Sequence, residues 1–454
     1  MCVESGYLKK QTLLANMKKT SLFFVVLFIL STPGISAFSA DNYLLEYFSS
    51  KAEVLKSRLD LDRIIESSGE KRLVLLGESS HGTAEFYQWR VEITKRLIAE
   101  KKFSFVVVEG DWNSIYKLNQ YVKNKPDSLD SAREVLLSFD SWPDWMWENN
   151  YIENLAEWLR KYNMGLLADE MVGFYGMDVY EQQDAIDSFL GFAQAYFPTY
   201  KAQIKHKLDC FTNDNRDQWE SDIQHYDYSC QQGLIQVVNW IHELVIKNNN
   251  PKDIDFFKAE QNALVIKNAE DFYRLNNSYG DAAWNSRTRH MWLSIKRLLN
   301  LHGEKSKGIV WAHNTHVGDV GATTKYFNGV TNIGRLIRHN LGQNNVFIIG
   351  FGTDKGWVSA GNSWNADMEK MVFPSAVEGS YEEIFSRIEL PSFYLLFDYF
   401  DRSNRVLNQY RKHRAIGVVY YPEDEKYNYI PTILPWRYDG FIFIRNTNAL
   451  EIVK

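Results

Sequence analysis

"LVLLGESSHGTAEFYQWR", residues 73–90, is the stretch that decides the fold. The apolar run Leu73–Leu76 ends in Gly77-Glu78-Ser79-Ser80-His81-Gly82, after which Phe86, Trp89, Ile93 and Leu97 recur at helical spacing. A short continuous apolar run suits a strand covered on both faces, and a helix beginning within one tight turn of it opens a βα unit. The turn also delivers an acid, two hydroxyls and an imidazole. Gly77 and Gly82 are expected to let the backbone bend sharply. Ser79 or Ser80 is expected to cap the helix N-terminus, which leaves His81 free to face a cleft.

The pattern recurs along the chain. Strand-like runs occupy 103–109, 174–178, 308–313, 346–350, 393–397, 416–421 and 440–444, and Ile152, Leu155 and Leu159 mark one face of another helix. Alternation of this kind predicts an α/β fold with a central, mostly parallel or mixed sheet flanked by helices. Residues 181–303 break the rhythm with long polar helical patterns, read as a helical insertion or lobe between two sheet-forming portions. The expected division is a leader at 1–40, a first α/β part at 41–180, the insertion at 181–303 and a second α/β part at 304–454.

Met17-Lys18-Lys19, the apolar run Leu22–Leu30, Pro33-Gly34 and small residues around Ala37–Ala40 have the layout of a secretory signal peptide, with Met17 as the expected start. The protein is therefore expected to be periplasmic or secreted, with no stable membrane span after cleavage. Cys210 and Cys230 lack acidic or histidine company at metal spacing and suit a disulfide in an oxidising compartment. A net charge of −6 offers no basic footprint for nucleic acid. The 14 Trp and 26 Tyr are enough to build a core and still line a cleft for a bulky ligand.

Four successive predicted strands place ionisable groups at their carboxyl ends: Glu78 and His81, then Glu109 and Asp111, then Asp178, then His313, His316 and Asp319. Ligands of open α/β sheets bind at those ends. Arg90 lies beside the apolar stripe of the first helix, where a guanidinium needs a carboxylate or a substrate oxygen. The set suits two chemistries. One is metal-free hydrolysis by a histidine general base oriented by a carboxylate, with Arg90, His313 and His316 stabilising an oxyanion and Glu109 holding Arg90 or a histidine. The other is a metal-dependent hydrolase using the same Glu and His side chains as ligands. A serine hydrolase is disfavoured, since GESSHG is not G-x-S-x-G.

The blocks LLGESSHGTAEFYQWR, VVVEGDW, FYGMDVY, WNSRTRHM, IVWAHNTHVGD, GSYEEIF and YDGFIFIR, in that order over about residues 70–445, resemble the erythromycin esterases. The resemblance implies an α/β body with an inserted helical lobe and a wide cleft between them, and metal-independent hydrolysis of a macrolide lactone by histidine-activated water, without a cofactor. It implies His81 as base, Glu78 as its orienting acid, and Arg90, Glu109, His313 and His316 as the remaining catalytic set. Asp178, Arg287, Trp145 and Trp147 are read as substrate-binding. The chain departs from the family pattern at Arg287-Thr288, where Arg-Asp is usual, and at Glu148-Asn149-Asn150. Erythromycin itself therefore carries over less well than the fold. The expected activity is ester or lactone hydrolysis of a small molecule, and a non-catalytic periplasmic ligand-binding or polysaccharide-associated protein is the alternative from another class.

Overall fold

The computed structural model describes residues 37–209, 230–248, 250, 252–276 and 281–453. Residues 1–36 of the leader motif and Cys210 lie outside them, whereas Ala37–Ala40 open the helix Ala37–Lys51; Cys230 is buried and disulfide-bonded. Among the described residues no helix is long and apolar enough to cross a membrane.

Nine strands form one sheet: β1 (Glu53–Val54), β2 (Leu73–Leu76), β3 (Phe105–Asp111), β4 (Gly173–Asp178), β5 (Gly308–Trp311), β6 (Val346–Gly361), β7 (Met368–Phe373), β8 (Ser392–Leu396) and β11 (Gly440–Thr447). Their order is β1-β8-β11-β6-β2-β5-β3-β4, with β7 paired to the far half of β6. From β11 to β4 every pairing is parallel; β8 and β7 run antiparallel to their partners. A separate hairpin joins β9 (Arg411–Arg414) to β10 (Tyr429–Thr432).

The apolar runs are continuous because both faces are covered. Leu73 and Leu75 face one core layer and Val74 and Leu76 the other, as a period of two requires. The second layer is filled by Phe86, Trp89, Ile93 and Leu97 of the helix Ala84–Lys101 and by Ile152, Leu155 and Leu159 of Asn150–Asn163. The first is filled largely from the inserted region. Ala263 and Ile266 of Ile254–Asn276 and Met291, Ile295 and Leu298 of Ala282–His302 share one core with the sheet.

The segment 416–421, predicted as a strand, makes only isolated bridges, Ser80 to Ile416 and Gly361 to Val419. Two of its apolar residues are buried without a partner strand, Ile416 and Tyr420 packing on Val358 and Phe373, whereas Tyr421 is exposed. A short apolar run signals burial, and burial alone does not make a ladder.

The topology sets the site. Strands β2 and β5 are neighbours, and the chain leaves them to opposite faces of the sheet. After β2 it enters Ala84–Lys101 in the second layer; after β5 it reaches Ile333–Leu341 in the first. Such a switch point opens a crevice beyond the carboxyl ends of the strands.

Candidate active site

A cleft of about 460 Å³ lies at this crevice, with His81, Glu109, Asp178, Arg287, His313 and His316 on its wall. At its floor the β2 turn and the β5 turn are stitched together. The Asn314 amide N–H donates to the Glu78 carbonyl at 2.8 Å, and the Asn314 side chain bonds both the N–H and the C=O of Phe351 on β6. Gly77 is required for this approach, since a Cβ there would lie 2.1 Å from Asn314 Oδ1. Gly82 is pressed on β6 in the same way, 1.8 Å from the Ser359 carbonyl. Both glycines thus serve close contact. Neither has the positive φ that the expected sharp bend would use.

The expected serine caps are absent. The helix Ala84–Lys101 starts at Thr83 without a side-chain cap, Ser80 Oγ is paired with Thr83 Oγ1, and Ser79 is buried. Neither serine lines the cleft.

His81 Nδ1 lies 3.0 Å from Glu78 Oε1, and Arg90 Nη2 lies 2.7 Å from Glu78 Oε2. A carboxylate only accepts, so Nδ1 carries the proton and Nε2 is left with a lone pair. Arg90 is fully buried, its guanidinium sandwiched between the rings of Tyr87 at 4.3 Å and Trp311 at 4.7 Å. Of the two expected roles of Glu109, it holds histidines and not Arg90, and the pairing with Glu78 corrects the expectation that an oxyanion is bound by Arg90. Arg90 stands behind Glu78, away from the cleft, where it fixes the carboxylate. Burial depresses the His81 pKa, but the hydrogen bond to Glu78 and the charges of Glu109 and Glu78 outweigh burial and Arg90, so the net shift is upward.

His313 stacks beside His81, with ring centroids 4.8 Å apart. It is also the N-cap of the short helix Asn314–Val317: its Nδ1 accepts the Thr315 N–H at 3.2 Å and lies 2.8 Å from Thr315 Oγ1. Accepting a backbone N–H leaves Nδ1 unprotonated, so the neutral ring carries its proton on Nε2. That atom is buried, with the Ser79 carbonyl as its acceptor. Burial, with the neighbouring His81, holds the His313 pKa well below its ordinary value and keeps the ring neutral.

Glu109 is the hub of the far wall. Its Oε2 accepts the His313 backbone N–H at 2.8 Å, and its Oε1 faces His316 Nε2 and Arg287 Nη2, each at 3.0 Å. Burial alone would raise its pKa, but His316, His81 and Arg287 hold it well below the carboxylate range. Arg287 grips Asp178 with two bonds, Nε to Oδ1 at 2.8 Å and Nη2 to Oδ2 at 2.5 Å. His316 lies flat on Trp284 at 4.3 Å.

Of the two tryptophans read as substrate-binding, Trp147 lines the cleft and Trp145 does not. Trp145 is 3% exposed and belongs to the second core layer. Sequence reasoning missed Trp284, Tyr180, Thr315, Trp364 and the 415–430 segment, all of which contribute to the cleft wall. The first two carried a signal. Trp284 lies one helical turn before Arg287, and Tyr180 follows Asp178 by two residues.

For a metal, the donors do not fit well. Both glutamates are engaged by arginine or histidine. Among the described residues the ligand-type side chains whose donor atoms converge within 4.8 Å are Asp140, Glu181 and Asp184, which include no histidine.

Comparisons with known proteins give one consistent picture. A protein of Bacillus cereus with a crystal structure superposes at a TM-score of 0.74 and 18% identity, covering 91% of this chain and 99% of that one. A protein described as a succinoglycan biosynthesis protein superposes at 0.72 and 18% identity, with the same coverage of 91% and 99%. The erythromycin esterase EreC, as a histidine-to-asparagine mutant in an open conformation, superposes at 0.61 and 13% identity, over 87% of this chain and 95% of that one. At these identities the neighbours share the fold. The sequence model of the erythromycin esterase family matches residues 98–447. With more than half of its length matched, the chain belongs to the erythromycin esterase family, a family of esterase-type hydrolases.

Proposed function

We propose that the protein is an exported hydrolase of carboxylic ester or lactone bonds in which His81 activates water. The observation that carries this reading is the polarised imidazole. His81 Nδ1–H is committed to Glu78, which is itself fixed by Arg90, and the ring lies on the cleft wall. Its Nε2 lone pair removes a proton from water, and the resulting hydroxide attacks the ester carbonyl. The oxyanion is met by His313, which stands beside His81 on the cleft wall and is held neutral by burial, its Nε2–H exchanging the Ser79 carbonyl for the oxyanion. On collapse, His81 returns its proton to the leaving alkoxide. Glu78 stabilises the transient imidazolium, and the Arg287–Glu109–Asp178 network keeps His316 and the His313 backbone in place.

A raised His81 pKa sets a limit. Only the neutral ring acts as a base, so activity belongs to pH values above that raised pKa. Export rests on the leader motif of residues 1–40.

The test uses residues 41–454, chelator-treated and metal-assayed, against macrolides and simple aryl esters, with His81→Ala alongside. Hydrolysis that survives chelation and disappears in the variant is the expected result. Activity that returns only with added metal, or that His81→Ala retains, overturns the mechanism.

A further inference from the structure

Trp364 sits in the turn between β6 and β7 with 58% of its surface exposed, although indole is the largest apolar side chain available. It borders the cleft and rests on two other rings, Trp142 at 4.5 Å and Tyr180 at 6.3 Å. The turn is pinned, because Trp142 Nε1–H donates to the Ala366 carbonyl at 2.9 Å. An exposed indole on a braced support presents a fixed apolar face to whatever enters.

Its surroundings carry both signs of charge: the Arg287 guanidinium lies 5.1 Å from the Tyr180 ring but is held by Asp178 and Glu109. Asp111 and Asp144 line the same cleft, and each is anchored by a backbone donor, Tyr180 N–H at 3.0 Å and Trp145 N–H at 2.8 Å respectively. Asp111 is bonded to the backbone of Tyr180, one rest of the indole, and Asp144 lies two residues from Trp142, the other. A carboxylate only accepts hydrogen bonds, and covering it with a ligand is costly unless that ligand donates. An alkyl or aryl ring offers a face to Trp364 and nothing to the acids. A saturated ring bearing hydroxyls offers both.

We infer that Trp364, with Asp111 and Asp144 of the same cleft, is a specificity platform selecting esters of a hydroxyl-rich ring, such as an acylated pyranose. The inference rests on the hydrolase reading for its chemistry, but the platform is a binding site in its own right. The ring stacks on the indole, its hydroxyls donate to the two carboxylates, and the acyl group extends to His81.

Four acetates separate the possibilities by holding the acyl group constant: monoacetylated hexopyranosides, ethyl acetate, phenyl acetate and acetylcholine. For wild type and Trp364→Ala, the readout is kcat/KM on each. The expected result is that the ratio of pyranoside to ethyl acetate turnover falls at least tenfold in Trp364→Ala, mostly through KM, with Trp364→Tyr restoring much of it. An unchanged ratio overturns the proposal. So does a larger loss on phenyl acetate, which would make the platform an aryl site, or on acetylcholine, which would make it a cation site. A second arm is independent of turnover: titration calorimetry of the pyranoside acetates into His81→Ala and into His81→Ala/Trp364→Ala. Binding by the first protein and at least tenfold weaker binding by the second support the platform; absence of binding to the first, or equal binding to both, overturns it. If wild type hydrolyses none of the four acetates, the hydrolase reading fails while the titration still decides the platform.

Discussion

Two histidine–glutamate pairs in this molecule share a geometry and differ in everything beyond it. His81 Nδ1 faces Glu78 at 3.0 Å, and His413 Nδ1 faces Glu382 at 2.5 Å. Both glutamates are buried and both pairs lie within reach of an arginine, Arg90 in one case and Arg414 in the other. At the far ring nitrogen they part. His413 Nε2 meets the Tyr438 hydroxyl at 3.1 Å and lies 3.5 Å from Asn314 Nδ2, in a site with no exposure at all. His81 has an edge on the cleft. Their pKa shifts differ in sign: burial, helped by Arg437 and Arg414, depresses His413, whereas the glutamates around His81 overcome burial and raise it. The acid–imidazole pair is thus a structural unit. On the proposed mechanism, it acts as a general base only where the second nitrogen faces a substrate.

The largest effect should come from breaking the front pair. His81→Ala is expected to lower kcat/KM by about 10²–10⁴-fold with little change in melting temperature, since removal of a positioned general base costs of that order. His413→Gln should do the reverse. It leaves Glu382 and Tyr438 incompletely paired in a dry site, at about 1–3 kcal/mol in unfolding free energy, with turnover far less affected than by His81→Ala. Steady-state kinetics and denaturant unfolding on both proteins check the pair. If the two variants lose activity equally, exposure is not what distinguishes them.

Glu78→Gln sharpens the contrast through pH. Glu78 raises the His81 pKa, so the acid limb of kcat/KM should lie above the ordinary histidine value of 6.5 in the wild type and move to lower pH in the variant. The maximal rate should fall by about tenfold or more as the imidazolium loses its counter-charge. A limb that stays in place would mean that the titrating group is not His81.

Buried histidines give the molecule a second pH signature. Burial depresses His290 to about 4 and His302 to about 3, and it depresses His313 and His413 as well. Each binds a proton more readily unfolded than folded. Their contribution to stability is present above about 6.5 and is lost as pH falls through the folded values. His81, shifted upward, has the opposite sign, its contribution fading as pH rises through its raised pKa. Four depressed histidines, with the lowered carboxyls of Glu109 and Glu382, against the raised His81 and Glu148 predict a melting temperature that declines between pH 6.5 and pH 3. A flat profile over that window would remove the argument.

The two pairs were unequally legible in the sequence. Glu78 and His81 stand at the end of an apolar run, three residues apart, where a βα turn must place them together. His413 stands in Arg411-Lys412-His413-Arg414, a run that reads as solvated, and Glu382 lies 31 residues earlier. What buries them is the packing of β9 against the helix Tyr381–Ser386, a long-range fact with no local trace. The same division holds for the cleft. Glu109, Asp178, His313 and His316 follow strands and were found; Arg287 came from a block in a helix; Trp364 sits in a polar turn that announces nothing. Arg90 was found but misplaced, because helical spacing gives the face of a side chain and not its depth. In the 416–421 segment, burial without a partner strand imitated a strand.

The smallest effect tests the finest claim, the tautomer of His313. Two contacts hold its Nδ1 unprotonated, the Thr315 N–H at 3.2 Å and the Thr315 hydroxyl at 2.8 Å. Thr315→Val removes the hydroxyl and keeps both the β-branched shape and the backbone donor. A single hydrogen bond of this kind contributes about 0.5–1.5 kcal/mol, so the donor tautomer should lose population without disappearing. The corresponding fall in kcat is about two- to tenfold, with KM little changed, because the Nε2–H acts on the oxyanion and not on the ground-state ester. If KM rises and kcat holds, His313 binds substrate instead, and the far nitrogen of this second cleft histidine is not the oxyanion donor. If kcat falls as predicted, the rule drawn from His81 and His413 extends to a third ring. In each, the partner on Nδ1 sets the proton.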